Sequence, residues 1–199
     1  MDPDQLAAID ALAADAPLVE LPDIARARSA AFVITAFEGG NLHRKALAAK
    51  AMAFDPATRD RLLAGALLPR ALYEEAVRFR DSFRAEVHAL MTRFDGLLAP
   101  AAPCAAPLIA DPRIAIDGAL SPARADLGIH TQPISFTGLP SLAVPLYRPG
   151  RLPLGLQLIG APKGEPALLK LAAQLEAAGV AGATLPPGPI TGSQLGARQ

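Results

Sequence analysis

Between Pro69 and Phe94, apolar side chains recur at Leu72, Ala76, Phe79, Phe83, Val87, Leu90 and Phe94, in steps of 4, 3, 4, 4, 3 and 4. That spacing keeps one stripe on a 3.6-residue period and predicts an amphipathic helix. Pro69 suits its first turn, and Glu74 and Arg78, four apart, are placed to pair on the wet face. A second helix is predicted from about Glu165 to Ala178, with Leu168, Leu171 and Leu175 inward and Gly179 as its C-terminal cap. "DQLAAIDALAAD" reads as a short helix with Leu6, Ile9 and Leu12 on one side, and "LVELP" as a brief strand or extended segment. In "DIARARSAAFVITAFEGGNLHRKALAAKAMAF" the run "AFVIT" favours a strand while the flanking Ala and Arg residues favour helix; helix is the expectation.

Short apolar runs with other punctuation follow. "DGLLAP" reads as a buried strand, and "SLAVPLY" and "LGLQLIG" as two strands joined by a turn in "RPGR". Pro145 places "SLAVPLY" at a sheet edge or a bulge, because proline cannot donate to a ladder. Of the 20 prolines, five lie before residue 100 and fifteen from Pro100 onward, so the front half is expected to be helical and the back half to be strands and loops around one late helix. Residues 100–128, rich in Pro, Ala and Gly, are expected to be mostly loop. The domain is expected to run over 1–190, with a mobile tail over 191–199.

Composition narrows the function classes. With 199 residues, 51% of them hydrophobic, the chain can build a core. A formal net charge of zero argues against nucleic acid as the main partner, since such binding usually needs a basic face. The single Cys104 excludes an intramolecular disulfide framework and suits a reducing compartment. No apolar run reaches the roughly 20 residues of a membrane span, and "MDPDQLAAID" lacks the basic start of a signal peptide. A cytoplasmic location with no membrane partner is the expectation.

Candidate chemistry is sparse. Cys104 sits among apolar neighbours with no base beside it in the sequence, which favours a packed thiol over a nucleophile. His43, His88 and His130 belong to no HExxH motif or Cys/His cluster, so no metal is expected. His88 flanks the apolar stripe. His43 follows "EGGN" and reads as a surface or capping residue, although Glu38 and His43 can be drawn as an acid/base pair. "FEGGN" lacks the third glycine of a phosphate loop, and no serine stands in a GxSxG elbow. His130 opens the polar run "HTQPISFTGLP" ahead of a strand, a place where loops often line sites. On the residues alone, the chain reads as an α/β domain without a self-contained active site.

"TQPISFTGLPSLAVPL" and "LPLGLQLIGAPKGEPALLKLAAQLE" resemble the C-terminal part of the amidase signature family, and "FDGLLAPAAPCAAP" resembles that family's strand and proline-rich loop. "ARSAAFVITAFEGGNLH" and "FDPATRDRLLAGALLP" are most similar to the branch that contains 1-carboxybiuret hydrolase. The resemblance covers roughly residues 15–190. It implies an α/β fold that is the C-terminal part of the amidase signature fold, with mixed-sheet strands covered by helices. The implied activity is hydrolysis of C–N bonds in small amides or ureides, with no cofactor. Family members use a Ser–Ser–Lys triad and a glycine-rich oxyanion hole N-terminal to the matched region. Neither occurs here: Gly39-Gly40 is followed by Asn41 and Leu42, and Lys45, Lys50, Lys163 and Lys170 stand outside the family's catalytic context.

The resemblance therefore carries over no catalytic residue, and the chain is expected to be inactive alone. It places His130, Thr131 and Gln132 as candidates for one wall of a substrate pocket. The partners it implies are a small amide or ureide in the intact enzyme, an N-terminal amidase half, and a second copy in a homo-oligomer. Two other readings stay open: a non-catalytic interaction or regulatory protein derived from an amidase, and an independent hydrolase pairing Cys104 with a histidine.

Overall fold

The structure, a computed structural model, describes residues 2–183. The expected mobile tail over 191–199 lies outside the described residues. In chain order the elements are α1 (Pro3–Leu12), α2 (Ile24–Leu42), α3 (Arg44–Lys50), a 3-10 turn over Ala51–Ala53, α4 (Pro56–Leu67) and α5 (Arg70–Met91). Then come β1 (Leu97–Pro100), β2 (Arg113–Ile116), β3 (Ala119–Pro122), α6 (Ala123–Asp126), α7 (Gln132–Thr137), β4 (Ser141–Pro145), β5 (Gly155–Ile159) and α8 (Glu165–Ala177). The ambiguous stretch after Asp23 is helical, and "LVELP" joins no sheet and ends in a turn at Pro22. Among the described residues no helix is long and apolar enough to cross a membrane.

Strand β5 is central, flanked by β1 and β4, and both pairings are antiparallel. Its alternation feeds two cores. Leu156 and Leu158 pack with Val144 and with Leu168 and Leu175 of α8, while Ala8 and Ile9 of α1 close the same face. Ile159 points to the opposite face, where α2, α5 and α7 contribute Ala30, Ile34, Phe83, Val87, Met91 and Ile134. Helices thus cover both faces of the sheet, the usual way to bury a strand that is apolar on both sides.

Local chemistry explains the element ends. Asp55 accepts a hydrogen bond from the Thr58 amide at 3.1 Å ahead of Pro56, so α4 begins with a side-chain cap and a proline in its first turn. At the end of α8, Gly179 takes a φ of +70°, and the Gly179 and Val180 amides donate to the Glu176 and Leu175 carbonyls, both at 3.0 Å. That is the reverse turn a glycine permits at a helix end. The glycine pair of "FEGGN" lies inside α2, where it lets α4 approach closely. A Cβ on Gly40 would overlap the Ala66 amide, and one on Gly65 the Ala36 carbonyl.

Three expectations need correction. The stripe on α5 holds through Ala76, Phe83 and Val87, but Leu72 is 40% exposed and Met91, at 2%, takes the inward position near the end. On α1, Gln5 is buried and Leu6 is exposed, because Gln5 donates through Nε2 to the Gly155 carbonyl at 2.6 Å. Glu74 pairs with Arg70 rather than Arg78. Residues 100–128 are more loop and turn than regular structure, as expected, but they also hold an unexpected hairpin: β2 and β3 join through Asp117 and Gly118, with φ of +49° and +81°. A two-residue turn with both φ positive matches the twist of paired strands, and Asp-Gly supplies it.

Candidate functional site

His130, Thr131 and Gln132 lie where the turn after α6 enters α7. The polar run is therefore not a loop leading into a strand. From Gln132 it is a short helix with Pro133 in its first turn, ended by Gly138 at a φ of +71°. Within α7 the Thr137 hydroxyl donates to the Ile134 carbonyl at 2.6 Å and accepts from the Leu139 amide at 3.3 Å. The helix is pinned to α5 by His88, whose Nε2–H donates to the Thr137 carbonyl at 3.1 Å. The residue flanking the stripe thus holds the segment that presents His130.

The three sequence candidates separate here. His130 is half-buried and lines a cavity of about 1230 Å³, together with Ile129, Pro133 and Ile134. Burial pushes its imidazole pKa below the usual value, which keeps it neutral near neutral pH. Thr131 turns back toward the Gly128 carbonyl at 3.5 Å, and neither Thr131 nor Gln132 lines the cavity. The remaining lining is mostly apolar, from α1, β1, α8 and the 13–21 segment, with Asp10, Asp95, Lys170 and Gln174 as its other polar side chains. A neutral imidazole on an apolar wall can donate or accept one hydrogen bond. By itself it supplies neither a nucleophile nor an oxyanion hole.

The other candidates have structural partners. Glu38 accepts from the Tyr73 hydroxyl at 3.0 Å, while His43 sits edge-on to Phe54 with ring centroids 5.8 Å apart; the two make no hydrogen bond to each other. Burial pushes the Cys104 thiol pKa up, away from thiolate. Ser121 and Arg28 both donate to Asp126 and hold its carboxyl below the ordinary range, tying the hairpin to α2. Among the described residues no group of three His, Cys, Asp or Glu side chains converges as a metal site needs.

Two buried amides carry no sequence-based role. Gln157, at 2% exposure in the central strand, donates through Nε2 to Ser141 Oγ at 2.8 Å and leaves its side-chain oxygen unpartnered among the described residues. Gln5 likewise leaves its side-chain oxygen unpartnered. The signal for Gln157 was present: a single amide inside an otherwise apolar strand needs a buried partner.

The amidase family matches this chain over residues 6–169. AtzE, the 1-carboxybiuret hydrolase subunit of Pseudomonas sp. (strain ADP), is 42% identical over 167 residues, which are 82% of this chain and 36% of that protein. A glutamyl-tRNA(Gln) amidotransferase polypeptide of Methanosarcina barkeri (strain Fusaro / DSM 804) is 31% identical over 143 residues, 69% of this chain and 29% of that one. Among solved structures, a chain from a vestigial protein complex that bears on the evolutionary origins of an s-triazine catabolic enzyme superposes with a TM-score of 0.86 at 39% identity. The superposition covers 92% of this chain and 41% of that one. An amidase crystal structure gives 0.78 at 29% identity over 88% of this chain and 42% of that one. The chain thus spans well under half the length of these relatives.

Proposed function

Because this chain belongs to the amidase family, we propose that it forms the C-terminal part of a hydrolase acting on C–N bonds of small amides or ureides, of the 1-carboxybiuret hydrolase type. Nucleophile, base and oxyanion donors come from an N-terminal portion of the fold, and this chain contributes sheet strands, covering helices and one wall of the substrate pocket. The observation that carries the reading is the 42% identity to a 1-carboxybiuret hydrolase subunit confined to 36% of that subunit's length. The surroundings of the glycine pair support it: Gly39 and Gly40 lie within α2 and pack on α4, so their amides belong to a helix and not to an oxyanion loop. The isolated chain then provides binding surface without transition-state stabilisation, and the Ser–Ser–Lys chemistry implied by the family is absent from it.

Within this reading His130 is the pocket residue, placed on the wall by α7 and kept neutral by burial. Thr131 and Gln132 serve the start of α7. The test is reconstitution. The chain is purified alone and co-expressed with the portion of the Pseudomonas protein that precedes the matched region, and release of ammonia or amine from biuret-type ureides is followed. The expected result is background turnover for the chain alone and activity for the pair. In the active pair, His130→Ala should raise KM by about tenfold, the loss of one buried hydrogen bond, while Gln132→Ala leaves KM unchanged. Turnover by the rigorously purified chain alone overturns the proposal.

A further inference from the structure

We infer that Arg28 and His88 are positioning residues of the substrate pocket: they clamp the two ends of segment 126–137 and so set where His130 stands in the pocket wall. The inference rests on the proposed function above and adds what holds the pocket residue in place.

No hydrogen bond or ion pair of its own holds the His130 ring among the described residues. Its place is set by the backbone that carries it. At the upstream end, Arg28 of α2 donates through Nη2 to the Ala125 carbonyl at 2.6 Å and to the Asp126 carboxylate, and the Ser121 hydroxyl donates to the same carboxylate. The Arg28 and Asp126 side chains are only 23% and 16% exposed, so their charge-assisted bonds are poorly screened. At the downstream end, the His88 Nε2–H of α5 donates to the Thr137 carbonyl at 3.1 Å. Both clamps stand on rigid supports, since Arg28 follows the buried Ala27 and His88 follows the buried Val87.

The chain between the clamps has little slack. The Ile129 amide donates to the Asp126 carbonyl at 3.1 Å, and the Thr131 and Gln132 amides donate to the Gly128 carbonyl at 3.2 and 2.8 Å. These turns run directly into α7, where the Ser135 amide donates back to the Thr131 carbonyl at 3.0 Å. His130 lies inside this bonded run and moves only if the run moves.

The clamps supply what packing cannot. Phe136 of α7 packs against Phe79 and Phe83 of α5, with ring centroids 6.3 and 6.1 Å apart. Apolar burial holds α7 on α5 but is non-directional, whereas a hydrogen bond to a carbonyl fixes the rotation of the helix about its axis. The Thr137 carbonyl is one of those a helix end leaves unpaired, and Thr137 is fully buried. Without the His88 donor this carbonyl must turn toward water, because a buried unpaired carbonyl is costly. That rotation of α7 carries His130 out of the wall, and its single directional contact with substrate is lost. The reacting groups belong to the other portion of the fold, so the loss falls on KM and not on kcat.

The test uses the chain alone for hydrogen exchange and the reconstituted pair for kinetics. In the chain alone, at submicromolar concentration, His88→Ala should speed exchange of the Ser135 and Gly138 amides by about tenfold or more, while amides inside α5 keep their rates. His88→Gln, which keeps an N–H donor, should restore slow exchange. In the pair, His88→Ala and Arg28→Ala should each raise KM by up to about tenfold with kcat unchanged, since neither can lose more than the share of His130. For the same reason neither should raise KM further in a His130→Ala background. Arg28→Lys keeps the charge but not the planar fork and should give a smaller rise. Val144→Ala, in the core on the opposite face of the sheet, should lower stability with KM unchanged. KM at the wild-type level in either clamp variant, or increases that add in full to that of His130→Ala, overturn the inference and leave the proposed function standing. Unchanged α7 exchange in His88→Ala overturns it without any kinetics. An inactive unsubstituted pair overturns the proposed function and the inference together.

Discussion

Replacing Gly65 by alanine tests the contact that joins α2 to α4. Alanine is the better helix former by up to about 1 kcal/mol, so an uncrowded glycine in a helix should gain from the change. Gly65 is crowded by backbone: its new Cβ would overlap the Ala36 carbonyl, and no rotamer change relieves a clash with main chain. The helices must move apart, and overpacking of this kind costs about 1–3 kcal/mol. The net expectation is a loss of up to about 2 kcal/mol, the overpacking cost less the helix-propensity gain. Gly39, on the facing helix, is the internal control. Its new Cβ meets only Leu62 Cδ2 at 3.0 Å, the far end of a side chain that can rotate away. Gly39→Ala should therefore be neutral or stabilising by up to about 1 kcal/mol. Urea unfolding followed by circular dichroism, at submicromolar concentration to suppress association through open edges, should order the midpoints Gly39→Ala, wild type, Gly65→Ala. With a urea slope of roughly 1–3 kcal/mol per molar, a loss of about 2 kcal/mol lowers the Gly65→Ala midpoint by about 0.7–2 M. A Gly65→Ala midpoint at or above wild type would refute the close-approach argument.

Two further outcomes follow from burial. Phe83→Ala, at 1% exposure among Phe79 and Phe136, should cost about 3–5 kcal/mol, whereas Leu72→Ala, 40% exposed on the same stripe, should cost far less in the same urea assay; equal losses would show that the stripe, not the observed packing, sets the core. Burial depresses the His130 pKa in the folded chain, so below the unfolded value of about 6.5 the unfolded state binds more protons and stability falls as pH falls. The urea midpoint should decline on acidification below that value, and His130→Gln should flatten the decline; an unchanged pH profile in the variant would remove His130 as its cause.

Periodic and punctuated segments were legible from the residues. The stripe from Ala76 to Val87, the inward Leu168 and Leu175, the Gly179 cap and the outer-strand place of Pro145 follow from spacing and backbone chemistry that act within a few residues. The quoted motifs also carried the family, which the match over residues 6–169 shows. The β2–β3 hairpin could have been read as well, because Asp117-Gly118 stands between "RIAI" and "ALSP"; the proline-rich surroundings hid it. Other features belong to the tertiary structure. Leu72 and Leu171 obey their helical period yet remain exposed, since a stripe says which face is apolar and not whether anything lies against it. Gln5 is buried because the Gly155 carbonyl, 150 positions away in sequence, accepts its proton. Glycines 40 and 65 matter only because two helices cross there. His130 reaches the cavity while its neighbours Thr131 and Gln132 do not, because α7 begins at Gln132 and turns the chain between them. Local rules assign each element its apolar face; only packing in space decides which faces meet.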